Sequence, residues 1–484
     1  MSHYNVPEGE FLGHPKGLFL LFTTEMWERF SYYAMRAILV LYLTSQAQGM
    51  GWTNSDALSM YAYFTGLVYI TPLLGGWLAD NYIGQRKAIL IGGLMMAIGQ
   101  FLIGMPYDWI PSLSKDTLFF MGLGSLILGN GLFKPNISTM VGELYGEGDH
   151  RRDGAFTIFY MGINLGAFMS GIFVGLIVAA FDGNYQVGFV AAGVGMLLSL
   201  VIQALFAQKY LGDIGLQANA VRSKELHGNV TKEPLTKVER ERIKVIMILG
   251  LFTIIFWAGF EQAGGLMNIY TEKFTDRFIG GWEVPTTFFQ SLNPAFIFLF
   301  APFFAILWTK LGPKEPTSPI KFAIALVLLA IGFLFMIGAV LQQGGDASVK
   351  TSMGWLVAAY FFHTMGELCL SPVGLSMVTK LAPLRLMSLL MGVWFGFTAL
   401  ANFVAGKVGS LVGGGHGGSG GDDEMINNAI SIFGGIAITA VISAVVLYLM
   451  SNKLIDWMHG AEAGDHGDTV SKLEEEMEVV AEKS

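Results

Sequence analysis

The sequence predicts an all-α integral membrane protein built as two six-helix bundles, and three observations carry that expectation. Of the 484 residues, 53% are hydrophobic and only 14% are charged. Soluble domains carry about 25% charged residues, so this chain has too little polar material to coat a water-facing surface. Apolar runs long enough to cross a bilayer, about 20 residues each, recur along nearly the whole chain. The one long polar gap, about 209–243, falls in the middle.

Taken in order, spans are expected near 17–46, 57–79, 87–106, 118–139, 154–179 and 187–208 before the gap. After it they are expected near 244–272, 286–309, 320–342, 353–380, 385–412 and 427–451. This divides the chain into a first bundle, 1–208, a cytoplasmic linker, 209–243, and a second bundle, 244–484, ending in an acidic cytoplasmic tail (Glu474, Glu475, Glu476, Glu478). Two six-helix bundles joined by a polar linker make the layout of the major facilitator superfamily fold. The steps Lys134–Pro135, Asn293–Pro294 and Ser371–Pro372 read as helix breaks, which membrane proteins tolerate where helices line a cavity.

Lys/Arg placement sets the expected orientation. With both termini inside, the cytoplasmic segments hold 21 Lys/Arg, and the opposite loops hold four: Lys115, Lys273, Arg277 and Lys350. That is the positive-inside pattern, and it points to a multi-pass protein of the plasma (cell inner) membrane with both termini cytoplasmic. The opening stretch, MSHYNVPEGEFLGHPKG, has no basic n-region or cleavage site, so no removed signal peptide is expected. The single cysteine, Cys369, excludes an intramolecular disulfide and a multi-Cys metal site. The tract GGGHGGSGGDDE at 413–424 reads as a flexible outer loop, with His416 a solvated linker residue rather than a metal ligand.

Four charges lie inside the first span: Glu25, Glu28, Arg29 and Arg36. At about 100° per residue these four, with Tyr32 and Tyr33, fall on one arc of about 140°. A charge at the bilayer centre costs about 2.5–3.5 kcal/mol even on the lenient insertion scale, so this face must turn to the bundle interior or to a watery cavity. A purely structural ion-pair cluster would satisfy that demand. Intramembrane ionisable residues mark substrate or proton paths by default, however, and two carboxylates beside an arginine suit proton coupling.

Three more charges sit deep in other spans: Lys134, Glu261 and Glu367. Lys134 belongs to the first half and the glutamates to the second, so Lys134–Glu261 is expected as an inter-bundle salt bridge that breaks when the halves rock. Positive charge on one wall and negative charge on the other suits a zwitterion such as a free peptide or amino acid. Tyr69, Tyr160, Asn164, Trp257, Asn293 and Trp394 complete the candidate cavity. Trp257 with Glu261, and Tyr160 with Asn164, lie one turn apart and share a face. In GGWLADNYIGQRK (75–87), Asp80 is placed to pair with Arg86 or Lys87 as a cytoplasmic loop latch.

No G-x-x-x-x-G-K-[ST] phosphate loop, zinc signature or G-x-S-x-G elbow is present, HTMGE (363–367) is not a H-E-x-x-H site, and nothing basic and aromatic suits nucleic acid. The chain therefore reads as a transporter and not an enzyme, without metal or cofactor, with the proton gradient as its energy source.

EMWERFSYY at 25–33 resembles the E-x-x-E-R-F-x-Y-Y motif of proton-dependent oligopeptide transporters, the peptide branch of the major facilitator superfamily. FYMGINLG (159–166) and GELCLSPVGL (366–375) are similar to two further signatures of that family. The resemblance implies proton-driven symport of di- and tripeptides by alternating access. The protein is expected to sit in the lipid bilayer as a monomer. The resemblance assigns Glu25, Glu28 and Arg29 to proton coupling. Arg36, Lys134 and Glu261 are assigned to the peptide carboxylate and the inter-bundle salt bridges, and Glu367 to the peptide amino terminus. Asn164 and Asn293 fall to peptide backbone groups, and Tyr32, Tyr33, Tyr69, Trp257 and Trp394 to side-chain pockets; Tyr160 joins the substrate-binding set from its place beside Asn164. Bacterial relatives commonly insert two extra helices between the halves. The short polar linker here predicts the twelve-helix form.

Overall fold

A computed structural model describes residues 9–145, 151–218, 234–311, 314–383, 386–413 and 422–461. His416, most of the glycine-rich tract and the acidic tail lie outside the described residues, as does the middle of the linker.

Among the described residues the apolar runs become thirteen α-helices. The first six are α1 (Lys16–Thr44), α2 (Asn54–Leu78), α3 (Gln85–Gly104), α4 (Lys115–Glu143), α5 (Arg151–Ala180) and α6 (Tyr185–Leu211). The rest are α7 (Lys237–Phe260), α8 (Leu266–Phe274), α9 (Leu292–Leu311), α10 (Ser318–Gln343), α11 (Met353–Leu381), α12 (Met387–Ser410) and α13 (Asp422–Met458). Eleven helical stretches among the described residues are long and apolar enough to cross a membrane by length and composition. The remaining long helix is α1, whose 29 residues hold the four charges. At 1.5 Å per residue it is about 43 Å long, more than the roughly 30 Å hydrocarbon core.

Polar side chains mark many helix starts by capping orphan backbone donors. Thr53, Ser114 and Asn184 accept from the backbone N–H of Asp56, Thr117 and Gln186. Thr236 and Glu239 form a reciprocal capping box at the head of α7.

Helices α1–α6 pack on one another, with α3 between α4 and α6 and α1 against α5 and α6. Helices α7–α13 form a second bundle in which α10 contacts both α11 and α13. Backbone-to-backbone contact tightens the first bundle: a Cβ on Gly75 of α2 would lie 2.0 Å from the Gly131 carbonyl of α4. Only a residue without a side chain permits that approach.

The bundles meet along α2 with α12, and along α5 with the 3-10 segment Thr286–Ser291 and α9. Four hydrogen bonds join them, among the described residues, at the end where α1 finishes; one runs from Asn54 Nδ2 of the first bundle to Met425 Sδ of the second at 3.3 Å. Asn268 Nδ2 donates to the Ala37 carbonyl at 2.9 Å, Thr287 Oγ1 to Gly171 at 2.7 Å and Ser291 Oγ to Phe168 at 2.7 Å.

The breaks differ from those expected. Helices α4 and α11 run through Pro135 and Pro372 without interruption, because a proline removes only one backbone donor and neighbouring helices and hydroxyls re-satisfy the ladder. Pro294 sits in the first turn of α9, just after the 3-10 segment gives way to α-helix. The interruption that matters falls in the seventh span, expected as one run over 244–272. There α7 ends in a 3-10 turn, Glu261–Ala263, and Gly264–Gly265 lead into the short α8. A two-residue-per-strand hairpin, Phe278–Ile279 with Trp282–Glu283, follows α8; nothing in the hydrophobic pattern announced it.

Candidate functional site

The first element of the site is the charged face of α1. Glu25, Glu28, Arg29 and Arg36 are all buried, yet they separate into two groups. Arg29 Nη2 donates to Glu28 Oε1 at 2.7 Å, and its Nε reaches Glu25 Oε1 at 3.1 Å and also contacts Glu28 Oε2. Asn130 Nδ2 of α4 adds a 3.3 Å bond to Glu28 Oε1. The Arg29 guanidinium lies 5.2 Å from the Tyr32 ring centroid, and Gly166 of α5 brings its backbone against Met26 and Arg29, shielding the cluster. One oxygen of Glu25, Oε2, has no hydrogen-bond partner among the described residues. Two carboxylates thus share one guanidinium, so with both ionised the cluster carries one negative charge too many. The Lys134 ammonium, within electrostatic reach, balances that charge.

The second group faces a cavity of about 260 Å³ between the bundles. Its first-bundle wall holds Tyr33, Arg36, Tyr69, Lys134, Tyr160 and Asn164; its second-bundle wall holds Trp257, Glu261, Asn293, Glu367 and Trp394. Eleven of the twelve substrate-binding residues expected from sequence are therefore gathered around one space. Tyr32 is not among the lining residues: it is 3% exposed and packs edge-on against Tyr33 behind the wall.

Charge pairing across the cavity departs from the expectation. Glu261 pairs with Arg36 Nη2 rather than with Lys134. The helix break places Glu261 in the 3-10 turn beside α1, while Lys134 Nζ lies over the Tyr69 ring, 4.4 Å from its centroid. Arg36 also donates through Nε to Tyr61 Oη at 2.7 Å. Lys134 stands within electrostatic reach of Glu25 and Glu28 on one side and of Glu261 on the other, so one ammonium links the α1 cluster to the cavity. On the far wall, Glu367 Oε2 accepts from Asn293 Nδ2 at 2.7 Å, and Asn293 donates to Thr364 Oγ1 at 3.1 Å. That bond aims the Glu367 carboxylate.

At the loop after α2, Arg86 donates to Gln208 Oε1 at 3.0 Å and to the Gly212 carbonyl at 2.5 Å. Its guanidinium thus holds the start of α3 to the end of α6. Asp80 occupies the π-helical turn Ala79–Ile83 before it, and Lys87 is exposed.

The POT family model matches residues 86–221 and 214–417. The chain belongs to the POT family. Its relatives include the peptide transporter YePEPT of Yersinia enterocolitica, 35% identical over 92% of this chain and 96% of that one. A di-/tripeptide transporter of Lactococcus lactis is 33% identical over 82% of this chain and 89% of its own. Among solved structures, a peptide transporter POT in complex with sulfate matches with TM-score 0.82 at 34% identity, over 94% of this chain and 98% of that one. A POT family transporter in complex with 5-aminolevulinic acid matches with TM-score 0.81 at 30% identity, over 93% and 99%.

Two polar residues that hold this POT-family cavity in shape carried no sequence signal. Tyr61 looks like any single tyrosine in an apolar helix. Gln290, which donates to the Ala263 carbonyl at 2.6 Å and so ties the 3-10 segment to the break, looks like a single amide at the start of an apolar span.

Proposed function

We propose that this protein is a proton-coupled symporter that imports di- and tripeptides across the plasma membrane by alternating access. The observation that carries the reading is the division of charge around one cavity. Arg36 and Lys134 stand on one wall and the aimed carboxylate of Glu367 on the other, which suits a zwitterion whose ends lie a short peptide apart. The relatives named above, among them a di-/tripeptide transporter, point the same way.

In this reading the peptide carboxylate meets Arg36 and Lys134, its ammonium meets Glu367, and Asn164 and Asn293 meet backbone groups. Glu25, Glu28 and Arg29 take up the proton. A carboxylate arriving at Lys134 draws that ammonium's charge away from Glu25 and Glu28, and the cluster then needs a proton to remain neutral. The positive-inside count supports cytoplasmic termini. With the termini there, the hydrogen-bonded end of α1 is the outer side, and the conformation is closed outward. Residues 212–236 between α6 and α7 are fewer than the roughly 40 needed for two more spans, which supports the twelve-span form with bundles at 1–208 and 244–484. A cavity complete within one chain supports a monomer as the working unit. Asp80, Arg86 and Lys87 belong to the cytoplasmic latch.

Uptake in proteoliposomes with an inward proton gradient tests this, comparing dialanine, trialanine, alanine and nitrate. Gradient-dependent uptake of the first two is expected. Preference for alanine or nitrate would replace the peptide by a smaller solute, and indifference to the gradient would sink the coupling.

A further inference from the structure

Arg36 has two partners of different kinds. Glu261, across the bundle boundary, leaves with the second bundle whenever the outer side opens. Tyr61, on α2, belongs to the same bundle as Arg36 and moves with it. The tyrosine is 1% exposed and does not line the cavity, so it touches the guanidinium from behind while Arg36 faces the cavity space. Its hydroxyl accepts from Nε at 2.7 Å, the innermost donor of the planar fork, so this one bond fixes the plane in which both terminal nitrogens lie.

A second observation concerns the residue facing that hydroxyl from the other bundle. A Cβ on Gly264 would lie 2.1 Å from Tyr61 Oη, 3.0 Å from Tyr61 Cζ and 3.0 Å from Arg36 Nε. Gly264 has φ −84° and ψ −12°, ordinary values for any L-residue. Conformation does not demand glycine here; clearance over the Tyr61–Arg36 bond does.

We propose that Tyr61 is a positioning residue for Arg36, holding the guanidinium in register for the substrate anion when Glu261 withdraws, and that Gly264 is the gap through which the second bundle closes over that bond. This rests on the reading that Arg36 receives the peptide carboxylate. Without Tyr61 the long arginine stem would regain rotamer freedom each time the ion pair opened, and the next substrate would have to reorder it.

Counterflow in proteoliposomes tests this with dialanine and dialanine amide, which lacks the carboxylate, on wild type, Tyr61→Phe, Gly264→Ala and the double variant. Tyr61→Phe is expected to raise the half-saturating concentration of dialanine about five- to ten-fold, with maximal rate and amide half-saturation changed less than about two-fold. A merely structural role would move both substrates together or lower the maximal rate alone, and either result overturns the proposal. Gly264→Ala is expected to cut the maximal rate about ten-fold. Adding Tyr61→Phe should recover at least about a third of that loss, because the nearest clashing atom is gone. No recovery overturns the clearance argument. If wild type takes dialanine and its amide equally well, the carboxylate reading falls by itself, and the recovery in the double variant still decides for or against Tyr61.

Discussion

Arg36 of α1 and Glu261 of the 3-10 turn after α7 form a buried ion pair across the boundary between the bundles. Deleting one partner strands the other charge, a loss of about 3–5 kcal/mol for buried pairs. Glu261→Gln should therefore loosen the closed end. On a Cys369→Ala background, which removes the single buried cysteine, spin labels at Gln48 and Ser348 are expected to show a new longer-distance population. An unchanged distribution would mean that the hydrogen bonds alone hold that end.

The α1 cluster makes a sharper claim. With two carboxylates on one guanidinium, Glu25→Gln or Glu28→Gln leaves the cluster with no need of a proton when Lys134 turns to the substrate. Gradient-driven accumulation of dialanine should fall at least about ten-fold, while peptide counterflow, which needs no net proton movement, should stay within about three-fold. Parallel loss of both activities would reduce the cluster to a structural role.

Glu367, aimed by Asn293, is placed for an ammonium. Glu367→Gln should raise the half-saturating concentration of free dialanine about ten-fold or more, as expected for losing a charge-assisted bond, and that of N-acetyl-dialanine by less than about three-fold. Equal shifts would remove Glu367 from the amino-terminal role.

Two neighbouring glycines on α2 should behave differently. A Cβ on Gly75 meets the Gly131 carbonyl at 2.0 Å, whereas one on Gly76 meets only Pro135 Cβ at 3.5 Å, an ordinary contact. Gly75→Ala should destabilise by about 1–3 kcal/mol through overpacking. Gly76→Ala should be neutral or slightly stabilising. Melting of the purified protein in detergent checks the pair, and equal melting temperatures would contradict the close approach of α2 and α4.

Much of this site was legible in the sequence, because charge inside an apolar run is costly enough to be informative by itself. Glu25, Glu28, Arg29, Arg36, Lys134, Glu261 and Glu367 all stood out on that ground, and most of the cavity wall followed from polar residues one turn away. Pairing was not legible. Glu261 has two cations facing it from the first bundle, and the choice of Arg36 over Lys134 depends on where the seventh span breaks. That break was sought at prolines, which helices absorb, and it fell at Gly264–Gly265. Tyr61 was invisible for a related reason: its role lies in a contact between helices, and neither composition nor periodicity records such contacts.

Three of the four hydrogen bonds at the closed end share one direction, and only the weak Asn54–Met425 sulfur contact runs the other way. Each of those three donors is a side chain of the second bundle, Asn268, Thr287 or Ser291, and each acceptor is a main-chain carbonyl of the first. Such carbonyls sit inside helices whose own ladders already employ them, and each has a second lone pair to spare. Parting the surfaces leaves no orphaned group on that side, and short polar side chains readily find water. The ion pair has no such substitute. Of the polar contacts at that end, the ion pair is therefore the one that opening costs most, and the hydrogen bonds align the surfaces without locking them.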